Sequence, residues 1–216
     1  MNRKTAQKGF ALVPLLIVGG ALVVVILVAS GALKFSASIS KTPSESNTTK
    51  PTTTATPEKQ KIDLTETYTD TENTYSIKYP SGWKQEPLKG STVIYSTDLE
   101  ADSPSKAIAG IIIYSIPLSG SLVGAKWETQ IEIMRLQLEK DYPTATFTDD
   151  SDVKVGSFDA HVYNYIYQNG SNDFRAKFFL IIKGERFYGL MTMAIQQRWE
   201  KYEPALSQIV QSFRTD

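Results

Sequence analysis

The chain of 216 residues has no cysteine and a single histidine, His161. Without cysteine there are no disulfides, thiol nucleophiles, iron–sulfur clusters or cysteine-bound zinc, and no anchor through a lipidated cysteine. No G-x-S-x-G nucleophile elbow occurs, and no Gly-x-Gly phosphate loop. A serine hydrolase triad would therefore have to be built around His161 without its usual strand-to-helix turn. The formal net charge is zero, but it is segregated. Residues 1–61 carry eight Lys or Arg against two acids, a balance of +6 that leaves −6 for the remainder. An acidic domain without a basic stripe is a poor partner for nucleic acid, so no nucleic-acid binding is expected.

The hydrophobic residues are unevenly spread. From Phe10 to Leu33 there are 24 residues without a charge. As a helix these would span about 36 Å, more than the roughly 30 Å hydrocarbon core of a bilayer. The run is too long for the apolar region of a cleaved signal peptide, and it has no polar face for a buried core helix. Arg3, Lys4 and Lys8 precede it and only Lys34 follows closely, which places the N-terminus in the cytoplasm and the rest outside. The expectation is a cytoplasmic basic N-terminus (1–9), an uncleaved transmembrane helix (10–33) and a chain displayed outside the cytoplasmic membrane. A second reading comes from "KGFALVPLLIV", which resembles the start of a type IV prepilin, with Gly9-Phe10 at the cleavage junction. The acidic residue of that pattern would fall on Pro14.

Residues 34–61 are rich in Ser, Thr, Pro and Lys, with almost nothing to bury. Such a composition is expected to form a disordered linker. The 27 residues from Phe35 to Lys61 would span about 30 Å as a coil and about 80 Å with polyproline II character.

From 62 to 216 the pattern becomes that of a folded α+β domain. Thr74–Trp83 alternates Tyr75, Ile77 and Tyr79 with polar residues, then turns at Pro80-Ser81-Gly82. Thr92–Ser96 reads as a short strand, and the nearly all-apolar Ala107–Ile116 as a central strand buried on both faces. A helix is expected over Leu122–Asp141, with Val123, Trp127, Ile131, Met134 and Leu138 as its apolar stripe. Val153–Gln168 reads as a hairpin turning at Gly156-Ser157. Phe174–Ile182 and Arg186–Ile195 flank a two-residue turn at Gly184-Glu185. A last helix puts Leu206, Ile209, Val210 and Phe213 on one face, with Pro204 in its first turn.

The motifs "YSIKYPSGW", "VKVGSFDAHVYNY", "GERFYGLMTMA" and "WEKYEPALSQIVQSF", in this order around a central helix ending near Tyr142-Pro143, resemble the PsbP-like domains. That group includes the extrinsic photosystem II protein, a Ran-binding nuclear import factor and many exported bacterial proteins. The resemblance implies an α/β/α sandwich around an antiparallel sheet, preceded here by the transmembrane helix. It carries no shared catalytic residues and points to a role in binding a partner.

Candidate chemistry is sparse. His161, Tyr163, Tyr165 and Tyr167 share one strand face. They form either an aromatic platform for a sugar or peptide, or a cross-strand ladder packed beneath a helix. Asp149, Asp150 and Asp152 read as an acidic turn, without the glycine and terminal glutamate of an EF-hand loop. Trp83, Trp127 and Trp199 read as core anchors. No catalytic residue, cofactor or metal is expected. The sequence points to a membrane-anchored binding module whose partner is an envelope protein or a cell-wall component. A minor-pilin or secretion component and an envelope hydrolase are the alternatives. The hydrolase would need a pocket converging on His161 or on paired acids.

Overall fold

The structure is a computed structural model that describes residues 61–88, 90–98, 107–118, 122–170 and 172–215. The expected transmembrane helix, the Gly9-Phe10 junction and all but the end of the linker lie outside these residues. Among the described residues no helix is long and apolar enough to cross a membrane.

The elements run β1 (Glu66–Asp70), β2 (Tyr75–Tyr79), β3 (Trp83–Leu88), β4 (Ser91–Ser96), β5 (Ala109–Pro117), α1 (Trp127–Asp141), β6 (Thr146–Val155), β7 (Phe158–Asn169), β8 (Asn172–Lys183) and β9 (Arg186–Ile195). A short 3-10 turn (Gln196–Arg198) then leads into α2 (Trp199–Gln211) and β10 (Arg214–Thr215). Seven strands make one antiparallel sheet in the order β3-β4-β5-β9-β8-β7-β6, and β1-β2-β10 make a second, small one. Tight two-residue connections at Gly156-Ser157 and Gly184-Glu185 set the hairpin registers, with both glycines at a positive φ of 58°.

Strand alternation divides the core in two. On one face of the large sheet lie Val93, Ile112, Tyr163, Tyr165, Phe178, Met191 and Met193, covered by α1. On the other lie Ile94, Ile111, Ile113, Ile181 and Leu190, packed against Ile209 and Val210 of α2 and against Tyr75 and Ile77 of the small sheet. The result is an α+β sandwich in which a small sheet shares one outer layer with a helix. The strands β5 and β9 sit at its centre and are buried on both faces, which explains their nearly unbroken apolar runs.

Several expectations are corrected. The first helix starts at Trp127 rather than Leu122, because Gly124 takes a positive φ of 73° and ends a preceding turn. Val123 consequently leaves the stripe and is 51% exposed. Pro204 lies inside α2 rather than in its first turn, since the helix begins at Trp199. The acidic trio is on strand β6, not in a turn. Strands β1 and β3 have no counterpart among the expected elements, and β6 begins at Thr146 instead of Val153.

Gly189 lies directly opposite Tyr114 in the β5–β9 pairing. A Cβ placed on Gly189 would run into the Tyr114 ring, which is fully buried against Phe178 and Phe187. Gly189→Ala is therefore expected to lower unfolding stability by about 1–3 kcal/mol, as overpacking does. A urea midpoint equal to that of the parent would show that the tyrosine is not held against the strand.

At the end of α1, one oxygen of the buried Asp141 accepts a bond from Gln137 Nε2 at 2.9 Å. The other oxygen has no partner among the described residues. Burial raises the carboxyl pKa, against the opposing pull of Gln137 and Lys140. A raised folded pKa means that the folded state binds the proton more tightly, so this group stabilises the fold as pH falls and opposes it near neutrality. Asp141→Asn is expected to raise the urea midpoint at pH 7. The difference should shrink as pH falls towards the ordinary carboxyl value of about 3.9. A pH-independent difference would assign the effect to packing.

Candidate functional site

The two helices hold the sheet differently. α2 buries Trp199, Tyr202, Ala205, Leu206, Ile209 and Val210, and Lys177 of β8 pairs with Glu203 at 3.0 Å across the interface. α1 buries only Leu138 and Asp141 along its length, and Leu136 is 60% exposed. Trp127, Ile131 and Met134 pack against the core while staying partly exposed, and polar hooks add to their hold. The Tyr163 hydroxyl donates to the Ile131 carbonyl at 2.6 Å. Arg135 reaches Asp150 at 2.8 Å, also pairs with Glu139 at 2.7 Å, and lies over the Phe147 ring. Trp127 Nε1 donates to Asp152 Oδ1 at 3.4 Å.

An open cleft of about 480 Å³ lies at the first turn of α1, against the sheet. Its lining is Trp127, Gln130, Asp152, Asp159, Ala160 and Ile182. Each is placed by simple local rules. Gly124 sets where the helix begins, so Trp127 and Gln130 stand on its first turn, and Gln130 Nε2 is fixed by the Leu122 carbonyl at 3.0 Å. Asp152 and Asp159 come from β6 and β7, on either side of the Gly156-Ser157 turn.

His161 is bonded to Asp152 but does not itself line the cleft. It is 7% exposed, and its Nδ1 lies 2.8 Å from Asp152 Oδ1. That bond holds the Asp152 carboxyl below the ordinary range, with the Trp127 indole adding to it. Both donors converge on Oδ1, and none of the described residues donates to Oδ2. His161 Nε2 is buried without a hydrogen-bond partner among the described residues, 3.9 Å from Asp150 Oδ1.

The tyrosine stripe has a different setting from an open platform. Tyr163, Tyr165 and Tyr167 are all buried. The Tyr165 hydroxyl donates to Met191 Sδ at 3.0 Å, and that of Tyr167 to Met193 Sδ at 3.6 Å. Burial raises all three phenols well above their ordinary pKa. The ladder props α1 from below and has no free face of its own. The acidic trio also separates: Asp150 and Asp152 face α1, while Asp149 pairs opposite Asn164 across the bulge at Thr148. Among the described residues no group of three or more metal-ligating side chains comes together. Trp199 is buried as expected, Trp83 packs edge-on against Tyr202, and Trp127 packs against the core while also lining the cleft. The sequence reading places Trp127 in the apolar stripe and singles out neither Gln130 nor Asp159. The one signal was a tryptophan just after a Gly-Ala-Lys break, which marks a helix start as readily as a core position.

A family model described as PsbP matches residues 63–215. The chain belongs to the PsbP family. Its fold is shared with the solution structure of the cyanobacterial PsbP of Synechocystis, at 13% identity and a TM-score of 0.53, over 75% of this chain and 98% of that one. It is also similar to LpqN of Mycobacterium tuberculosis, described as involved in cell envelope biogenesis. There the identity is 15% and the TM-score 0.50, over 66% of this chain and 83% of that one. A search of curated proteins finds no significant match. At these identities the likeness to solved structures concerns the PsbP fold alone.

Tyr163→Phe removes the hydroxyl that caps the middle of α1. The expected cost is about 1 kcal/mol, typical of one lost hydrogen bond. Amide exchange should quicken in α1 and stay unchanged in α2. Equal acceleration in both helices would mean that the bond contributes to global stability and not to seating α1.

Proposed function

We propose that the chain is a binding module, tethered to the outer face of the cytoplasmic membrane of a bacterium and without catalytic activity of its own. The observation that carries this reading is the relation of His161 to the cleft. A general base must present its free nitrogen to the substrate, within about 3 Å of the proton it takes. His161 turns Nδ1 to Asp152 and keeps Nε2 buried, so the cleft meets only the carboxylate side of the pair. The two acids in the cleft, Asp152 and Asp159, are 70% and 87% exposed at their side chains, an environment that does not tune a carboxyl towards acid catalysis. What the cleft wall offers is recognition: an indole, an amide and two carboxylates. The apolar run 10–33 and the basic residues before it support the tether and its direction.

The absence of cysteine makes the topology directly testable. Single cysteines at Leu136, an exposed position, and at Asn2 are expected to divide. L136C should react with a membrane-impermeant maleimide in intact cells, and N2C only after permeabilisation. The reverse pattern overturns the orientation. A photo-crosslinking amino acid at Gln130 should give adducts of discrete mass in cells, and the same group at Glu200 on α2 should not. Absence of adducts at Gln130 would count against binding through this cleft.

A further inference from the structure

We propose that the cleft at the start of α1 receives an alkylammonium or guanidinium cation, the head group of a basic side chain or of a small amine. The inference rests on the binding-module reading and names the chemistry of what is bound.

Charge is the first argument. Two carboxylates line the cleft, and the one Lys or Arg side chain paired with either among the described residues, Lys154 on Asp159, is itself largely exposed. Asp152 is the more committed of the two. His161 and Trp127 hold its Oδ1, which keeps it ionised and leaves Oδ2 to take a donor. The second argument is the aromatic wall. Trp127 lines the cleft and donates its N–H to Asp152 Oδ1 at 3.4 Å. An indole in the wall of a cleft that also holds carboxylates attracts a cation through the ring quadrupole. Anionic ligands are disfavoured here, and a purely apolar one would strand the carboxylates.

The third argument is that the molecule carries a stand-in for the ligand. Lys154 Nζ sits 2.6 Å from Asp159 Oδ1, although both side chains are largely exposed, at 65% and 87%. An exposed pair of this kind is weak and exchanges readily. Lys154 and an incoming cation would compete for the same carboxylate. This gives the proposal a signature that a structural role cannot imitate, since removing Lys154 should improve binding.

The test uses the full chain, purified in neutral detergent at low ionic strength. The fluorescent probes are the peptides acetyl-Lys-Lys-Lys-Lys and acetyl-Gln-Gln-Gln-Gln, with spermidine as a small-amine competitor. The lysine peptide is expected to bind and the glutamine peptide not to. Asp159→Asn should weaken binding about threefold, in line with one exposed charge pair. Trp127→Ala should weaken it about fivefold, in line with a cation–aromatic contact. Lys154→Gln should strengthen it about twofold by removing the weak exposed competitor. Displacement by spermidine at equal molar concentration assigns the source to a free amine, and displacement only at great excess assigns it to a basic side chain. Equal binding of both peptides, with loss in Trp127→Ala, overturns the cation and leaves a binding module. Binding of neither peptide also overturns the cation, and adducts at Gln130 in cells then decide separately whether the module reading survives. A variant that fails to fold is recognised by its circular dichroism. The Lys154→Gln gain, at an exposed position, keeps the proposal falsifiable in that event.

Discussion

The structure depends on burying the paired strands β5 and β9 on both faces. Their apolar runs cannot be left to water on either side, so each face needs a cover, and the sandwich follows from that need. Tyr114 shows how tightly the centre is closed. Its ring lies against Gly189 across the strand pair, filling space that a side chain would otherwise occupy. Close packing at this depth transmits any error, so the centre of the sheet is where the fold is most exacting.

The two covers are made by different physics. α2 is strongly amphipathic and joins the small sheet in a continuous apolar layer through Ile209 and Val210, with Phe213 just beyond its end. Each such fully buried side chain contributes about 1.5–3 kcal/mol. α1 has little apolar contrast, and its partly buried Trp127, Ile131 and Met134 are supplemented by a tyrosine hydroxyl, a guanidinium and an indole N–H. The cleft lies at the first turn of this weaker cover.

This difference also explains what could be read from the sequence. β5, the β7, β8 and β9 hairpins and α2 were legible because each has an unambiguous period or a glycine at the required turn. β6 was only half legible: Thr146–Asp152 is an edge strand with exposed acids, and its polarity hides its periodicity. β1 and β3 are short edge strands with the same defect. The site was mostly illegible. Asp152 and His161 are nine residues apart across a hairpin and could be paired once the turn was placed. Trp127 and Gln130 join them only through the docking of α1, for which the sequence holds no register. The stripe of tyrosines drew attention because it is periodic, yet periodicity is the mark of a packed face, and that face is packed.

Charge links the proposed site to the proposed tether. Residues 1–61 carry +6 and the remainder −6. On the proposed topology an anionic membrane surface would attract the basic residues flanking the apolar run and repel the domain that follows. That repulsion would be screened over about 8 Å at physiological ionic strength, less than the roughly 30 Å expected of residues 35–61 as a coil. The domain would then be discouraged from lying on the bilayer without being fixed in orientation. Ile62 bonds Gln208 of α2, on the face opposite α1, so the described chain enters the fold away from the cleft. For the five lysines at positions 34, 41, 50, 59 and 61, reaching the cleft from there would carry the cost of ordering the residues between. A separate cationic partner meets no such cost on this chain, which is why the cleft is better suited to binding in trans.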